Sequence, residues 1–195
     1  MSQVSVAAQA GVGVAKKINM FAHSTVRGMT QGVLPLIGYN KSSGNRKRMK
    51  KVVFVSGAMS LTIALVCTVI NLTLSEPLTS IFIQIDETGS LDYGARFLQI
   101  LCLGAPFSAV AYTIISFFQA VGKAWRSLIL ALLRKGLLDI PLMYILQKPI
   151  QTYGIVWATP IADSICCIVA ILLFVIYLKR HGENKGEFKI EQQKM

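Results

Sequence analysis

The sequence predicts an all-α integral membrane protein with five transmembrane helices. The chain has 195 residues, 53% of them hydrophobic, and its mean hydropathy is +0.56. Residues 52–74 and 97–121 contain no charged residue, and residues 154–178 contain one, Asp163. Because a bilayer core about 30 Å thick is crossed by roughly 20 apolar helical residues, each of these three segments is long enough to span it.

Two further segments are predicted to span the membrane although they carry charges. Residues 128–147 are apolar apart from Arg134, Lys135 and Asp139, and the last two lie four positions apart, where they can pair on one helix face. Residues 5–38 begin with small side chains, which favour close helix packing in membranes, and end with an apolar stretch. Hydropathy alone does not predict this N-terminal span, whose basic residues are Lys16, Lys17, His23 and Arg27.

The positions of the basic residues predict how these spans are oriented. The net charge is +11, with six basic residues in residues 41–51 and five in residues 179–194, each group beside an apolar segment. Segments 75–96 and 148–153 hold one basic residue each. Since Lys and Arg concentrate in cytoplasmic loops, we predict an outside N-terminus and a cytoplasmic basic tail, residues 179–195, which its polar composition predicts to be disordered. Because the basic residues lie beside apolar segments, we expect them to contact lipid headgroups and not nucleic acid.

Residue types that serve catalysis or metal binding are not clustered in the sequence. His23 and His181 are far apart and are predicted to lie near solvent or helix ends, and Gly11 and Gly13 are predicted to serve helix packing. No HExxH, GxSxG or phosphate-binding loop is present. The chain is therefore predicted to be neither an enzyme nor a binder of metals or organic cofactors. The four cysteines are predicted to be small buried side chains: Cys67, Cys102, Cys166 and Cys167.

Ionisable residues inside the predicted spans are candidates for function. A charge near the bilayer centre costs at least ~2.5–3.5 kcal/mol, so such a residue usually faces a cavity or a partner. Asp163 is the deepest, and the arginine at 134, on the adjacent antiparallel helix, can reach it. We predict that these two form a buried pair. Three alternatives stay open: the arginine extends to the interface, the aspartate stays protonated, or it couples transport to protons. The candidates among the intramembrane charges are Arg134, Lys135, Asp139 and Asp163.

Four segments, in order, resemble the multidrug and toxic compound extrusion (MATE) family. They are QGVLPLIGYNKSSGNRKRMKK (31–51), FFQAVGKAWRSLIL (117–130), LLRKGLLDIPLMYIL (132–146) and YGIVWATPIADSI (153–165). The resemblance covers essentially residues 5–178. The residues that match the family's motifs are Gln31, Gly32, Pro35, Gly38, Tyr39, Asn40, Gln119, Gly122, Pro141, Pro160 and Asp163.

The resemblance implies a transporter of about twelve spans in two lobes, of which this chain resembles spans eight to twelve. Residues 1–178 would form a partial C-terminal lobe without its first helix, and the N-terminal lobe would be a missing partner. The implied function is a cation-coupled antiporter of the plasma membrane that exports drugs or other small amphipathic organic cations. The implied coupling ion is sodium or a proton. Residues 5–38 would line the central cavity.

Polar residues of the spans are candidates for contacting the substrate in that cavity. Each of them alternatively forms a helix-packing hydrogen bond. The three candidates are Gln31, Tyr112 and Gln119.

Two other interpretations stay open. A lipid-linked sugar flippase of the same superfamily would favour a cavity rich in cations, yet the spans outside 5–38 and 128–147 have none. A truncated, non-transporting membrane fragment or scaffold is favoured by the helices that the resemblance implies but the chain lacks.

Overall fold

The computed structural model describes the backbone of residues 2–83, 90–150 and 152–193, and the side chains of residues 9–83, 90–147 and 153–179. Every regular element in these ranges is helical. A π-helical segment, Leu133–Leu138, joins α7 to α8. The α-helices are α1 (Ser2–Gly32), α2 (Leu34–Ser42), α3 (Arg46–Thr73), α4 (Ser75–Ser80), α5 (Ser90–Cys102), α6 (Ala105–Ala120), α7 (Ala124–Leu132), α8 (Asp139–Ile150) and α9 (Thr152–Gln193).

Two of the described helices are long and apolar enough to cross a membrane by themselves. They are α3 and the part of α9 from Tyr153 to Lys179. Helices α5 and α6 meet the requirement together and are bent by 45° at the break between them. The described residues therefore hold two such spans, or three if the bent pair is one span. The spans at 5–38 and 128–147, and with them the total of five, stay predictions.

Prolines lie where two of the predicted spans are interrupted. Segment 5–38 is not one helix, because α1 ends and α2 begins just before Pro35. A proline has no N–H and its ring excludes the carbonyl four residues earlier, so the α-helical ladder stops there. Segment 97–121 is also two helices, α5 and α6, with Pro106 in the first turn of α6, where a missing N–H is tolerated.

Helices also extend into segments that were predicted to be loops. The basic loop 39–51 shrinks to a turn in which Gly44 has a φ of 71° and Asn45 caps α3 by accepting a hydrogen bond from the Arg48 N–H at 3.1 Å. The tail predicted to be disordered is helical to Gln193, because an established helix propagates readily where no proline stops it.

The segment between the second and third predicted spans differs from prediction as well. The apolar sequence LTSIFIQI, residues 78–85, which follows Pro77 and ends at an acidic pair, predicts a short interfacial helix. The structure has α4 there, which begins earlier and ends at Ser80, and residues 84–85 lie outside the described residues. Helix α5 begins at Ser90, inside the predicted loop 75–96. Among the described residues of segment 75–96, only 81–83 are non-helical.

Helix α6 lies at the centre of the packing and contacts α1, α3 and α9. The largest buried cluster surrounds Phe117 and Phe118 of α6 and includes Tyr177 of α9, whose ring meets both phenyl rings edge-on. Many large apolar side chains point outward, among them Phe54 at 79% exposed. An outward apolar surface of this extent suits lipid contact, since exposed apolar patches this extensive mark interaction surfaces.

Gly11 marks the closest approach of two helices. A Cβ added at Gly11 would lie 2.9 Å from the backbone nitrogen of Gly94 on α5, so α1 and α5 meet there backbone to backbone. The predicted packing role is confirmed for Gly11. It is wrong for Gly13, where an added Cβ would meet no atom within 4 Å.

Candidate functional site

A cavity of about 310 Å³ lies between α1, α6, the π-helical segment and α9. One stripe of α1 forms much of its wall, because positions three or four apart share a helix face. Polar and charged side chains predominate in the lining. The lining residues are Lys16, Asn19, Met20, His23, Ser24, Arg27, Leu101, Tyr112, Arg134, Lys135, Asp139 and Thr159.

A buried ion pair stands behind this wall. The Nε of Arg134 donates to Asp163 Oδ1 at 2.5 Å, and its Nη2 donates to Oδ2 at 3.3 Å. The two side chains are 3% and 1% exposed. The predicted pair is confirmed, and the arginine does not extend to the interface. Two parallel charge-assisted hydrogen bonds of this kind fix the relative orientation of both side chains.

The π-helical segment places Arg134 in this position. A π-helical turn widens the helix by about one residue per turn and is found mostly at functional sites. The guanidinium also lies over the ring of Tyr112, with its carbon 4.4 Å from the ring centroid, a cation–π geometry. Tyr112 and Arg134 both line the cavity, so one of the three predicted cavity residues contacts the ion pair directly.

Gly104 lies at the break between α5 and α6. Because it has no side chain, α9, which carries Asp163, can approach that break closely. A Cβ at Gly104 would lie 3.1 Å from Asp163 Oδ2 and 3.1 Å from the Cα of Pro160. Any larger residue would displace the carboxylate or the helix that carries it. The sequence gives no signal of this contact, because the two positions are far apart along the chain.

His23 lies in the cavity wall, within α1 and away from the ends of that helix, and its side chain is partly exposed. Its Nδ1 is 3.0 Å from Ser108 Oγ, and its ring meets Tyr112 edge-on at 6.4 Å between centroids. The signal was available: positions 16, 19, 23 and 27 follow helical spacing, so their polar side chains share one face of α1. The side chain of His181 lies outside the described ones.

The local pair suggested for Lys135 and Asp139 is not formed. The ion pairs within the described residues are Arg134 with Asp163 and an exposed pair on α5. Asp139 Oδ1 accepts a hydrogen bond from Thr159 Oγ1 at 3.3 Å instead. Within the same described residues, no three His, Cys, Asp or Glu side chains lie together as a metal site would require.

The other two predicted cavity residues bond to each other. Gln31 Nε2 donates to Gln119 Oε1 at 3.3 Å, and both side chains are exposed. This bond joins the ends of α1 and α6 and corresponds to the packing alternative. Neither residue belongs to the lining of the 310 Å³ cavity.

Most of the motif residues shape the helix ends near this contact. Gly122 has a φ of 71° in the turn between α6 and α7, and Lys41 Nζ donates to the carbonyl of the preceding residue, Val121. Asn40 is buried and its Nδ2 donates to the Leu36 carbonyl at 2.7 Å. These motif residues therefore fix turns between spans. The cavity lining takes Arg134, Lys135, Asp139 and Thr159 from the resembling segments 132–146 and 153–165, and its other residues from outside the four segments.

Comparison with known proteins identifies the family. A profile of the MatE family matches residues 1–145. The multidrug export protein MepA of Staphylococcus saprophyticus is 28% identical over 178 residues, which are 91% of this chain and 39% of that protein. MepA of Staphylococcus aureus strain MRSA252 is 26% identical over 88% of this chain and 37% of its own length. The chain thus spans about two fifths of the length of these relatives.

Solved structures share the fold. A MATE transporter, ClbM, in complex with Rb⁺ superposes with a TM-score of 0.78 at 24% identity, over 86% of this chain and 39% of that one. A MATE crystal structure in a bent conformation gives a TM-score of 0.83 at 16% identity, over 94% and 42%. These likenesses concern the fold alone. The profile match over most of the chain shows that this protein belongs to the MatE family, the multidrug and toxic compound extrusion proteins.

Proposed function

We propose that this chain is part of a cation-coupled antiporter that exports drugs across the plasma membrane. The observation that carries the proposal is an open cavity of about 310 Å³, lined mostly by polar side chains, on a bundle that also exposes many large apolar side chains. Polar and ionisable groups inside a membrane usually line a substrate or ion pathway, because lipid gives them no other partner. The two relatives are named multidrug export proteins.

The transport step would be a shift between two conformations. A substrate and a coupling cation, sodium or proton, move such an equilibrium only through their different affinities for the two states. The helices α5 and α6 are bent by 45° at the break before Pro106, and a second break, before Pro35, separates α1 from α2. Interrupted helices of this kind are frequent around the binding sites of transporters.

The arrangement in the membrane is part of the same proposal. The chain crosses the bilayer five times, with its N-terminus outside and its C-terminal tail in the cytoplasm, as the Lys and Arg counts favour. Residues 1–178 form part of a C-terminal lobe. Its partners are the bilayer, an N-terminal lobe that supplies the opposite wall, and a small amphipathic substrate.

Drug binding by the purified chain tests the function. Ethidium polarisation in detergent should show a saturable site, and unlabelled drugs should compete for it. Tyr112→Ala should weaken binding, because that ring lines the cavity, whereas Phe54→Ala on the outer surface should not. No saturable binding, or equal effects of both variants, would refute a drug site in this cavity.

Ethidium efflux by cells tests the need for a second lobe. The chain expressed alone in an efflux-deficient host should leave ethidium accumulation at the level of the empty vector, because one wall of the cavity is absent. Efflux clearly above vector, with the intact chain in the membrane, would show that the second lobe is dispensable.

A lipid-linked sugar flippase is a second candidate, and one observation favours it. Four cationic residues from the segments 5–38 and 128–147, which are far apart in the sequence, line one cavity: Lys16, Arg27, Arg134 and Lys135. Competition by undecaprenyl pyrophosphate against ethidium separates the candidates. If the lipid displaces ethidium at a concentration below that of ethidium, the flippase is favoured. If the lipid displaces no ethidium, the drug exporter is favoured.

A further inference from the structure

A second groove lies between α3 and α9, apart from the polar cavity. Both helices pack against α6, and the groove, of about 240 Å³, is the gap between them. Its lining is apolar except for one lysine and shares no residue with the polar cavity. The lining residues are Lys50, Val53, Phe54, Phe117, Phe174 and Leu178.

The floor and both walls of this groove belong to the chain itself. Phe117 of α6 is 1% exposed, and its ring meets the ring of Phe174 on α9 edge-on at 5.0 Å between centroids. Val53 on the α3 side is 7% exposed. Packing of this kind holds aromatic and branched side chains in one arrangement. The groove is therefore formed without any contribution from a second lobe.

The groove lies where both helices reach the ends of their apolar segments. Leu178 is the last residue but one of the apolar part of α9, and Lys50 lies two residues before the uncharged part of α3. The ends of a spanning segment lie at the boundary between the hydrocarbon and the headgroups. Phe54 and Phe174 each lie four residues further in, or ~6 Å along a helix. The groove thus extends from the headgroups into the hydrocarbon.

Positive charges surround the headgroup end of the groove. Lys47 lies one turn before Lys50 on the same face of α3, because positions three apart are neighbours on a helix. Lys179 directly follows the last lining residue of α9. All three side chains are exposed, and none belongs to the ion pairs found among the described side chains. A lysine in this position packs its methylene stem on apolar surface and keeps its ammonium at the interface.

We infer that this groove binds one anionic phospholipid. An acyl chain lies against Phe54, Phe174 and Leu178. The phosphate is held by Lys50 and Lys47. Basic pockets between transmembrane helices bind acidic lipid headgroups, and here the apolar lining adds a place for the chain. The site differs from the general attraction of basic loops for acidic lipids, because it requires one particular lysine and one particular apolar contact. The inference does not depend on the proposed transport function.

Two lipids that differ in charge test the inference. Palmitoyl-oleoyl phosphatidylglycerol and palmitoyl-oleoyl phosphatidylcholine have the same acyl chains, but only the first has a net negative charge. Native mass spectrometry of the full chain, released from detergent micelles at increasing lipid concentration, gives the affinity for the first bound lipid. Phosphatidylglycerol should bind at least about fivefold more tightly, which is the effect of one lysine near a headgroup. Equal affinities for the two lipids would overturn the inference.

Substitution of the lysine tests where the headgroup binds. Lys50→Gln should weaken phosphatidylglycerol binding about fivefold, and Lys50→Arg should retain it. Lys123→Gln is the matched control, because it removes the same charge from an exposed position between α6 and α7 that does not line the groove. If Lys50→Gln loses no more affinity than Lys123→Gln, diffuse surface charge attracts the lipid and the inference is wrong.

Substitution of a leucine tests where the acyl chain binds. Leu178→Ala should weaken phosphatidylglycerol binding severalfold, since it removes an apolar contact. Leu173→Ala is the control, because Leu173 is also partly buried on α9 and packs against the same cluster but does not line the groove. Equal losses in both variants would overturn the inference. A dimer that Leu178→Ala abolishes, with no lipid complex, would show that a second copy fills the groove and would overturn it too.

Discussion

Removing one member of the Arg134–Asp163 pair should destabilise the fold more than removing both. Two unit charges about 4 Å apart attract by roughly 4 kcal/mol at an effective dielectric constant near 20. A buried charge that loses its partner typically costs ~3–5 kcal/mol. In Asp163→Asn the guanidinium keeps the ring of Tyr112 but loses both hydrogen bonds to a carboxylate, so we predict a loss in this range.

The double variant Arg134→Met/Asp163→Leu leaves no buried charge behind. Replacing a buried ion pair with apolar side chains of similar volume is often neutral or stabilising. We therefore predict that it loses less stability than Asp163→Asn alone.

Thermal unfolding in detergent, followed by fluorescence-detected size exclusion, measures the effect. A loss of one kcal/mol in the free energy of unfolding lowers the unfolding midpoint of a chain of this size by about 2–4 °C. A variant that lacks one member of the pair, such as Asp163→Asn, should therefore unfold roughly 6–20 °C earlier. The exposed pair of Asp92 and Arg96 is the matched control, with side chains 66% and 61% exposed, and Asp92→Asn should leave the midpoint unchanged. Strictly additive losses in the double variant would refute coupling between the two buried charges.

Two further predictions concern packing and orientation. Gly104→Ala should lower the unfolding midpoint because its Cβ would lie 3.1 Å from Asp163 Oδ2, while Gly13→Ala, with no atom within 4 Å, should not; equal effects would show that the contact does not matter. In a cysteine-free chain, an impermeant maleimide added outside intact cells should label Ser80→Cys and spare Ser43→Cys, and labelling of Ser43→Cys would reverse the proposed topology.

The buried ion pair was predictable because its two residues lie on helices that follow each other in the chain. Arg134 and Asp163 lie on successive helices joined by a short connection, and each charge is costly in a bilayer without the other. The polar face of α1 was equally visible in the spacing of positions 16, 19, 23 and 27. Hydropathy averages conceal such a stripe, because they sum over all faces of a helix.

The features that sequence reasoning missed depend on small energies or distant contacts. A π-helical turn differs from an α-helical one by a single shifted hydrogen-bond register, which the segment LRKGLL, residues 133–138, does not encode locally. The contact of Gly104 with Asp163 joins α5–α6 to α9 and appears only after the helices pack. The bond between Gln31 and Gln119 has the same origin, because two polar residues far apart in sequence carry no information about each other.

The central claim is that the cavity beside α1 is water-filled and binds the substrate. Cysteine accessibility tests it most directly, with Ser24→Cys in the cavity wall and Val66→Cys, 53% exposed on the apolar surface of α3, as the lipid-facing control. In open membrane fragments of a chain without native cysteines, sulfonatoethyl methanethiosulfonate should modify position 24 rapidly, a bound drug should slow that reaction, and position 66 should stay unmodified. Modification of position 66 as fast as position 24, or no protection by any drug, would contradict the account.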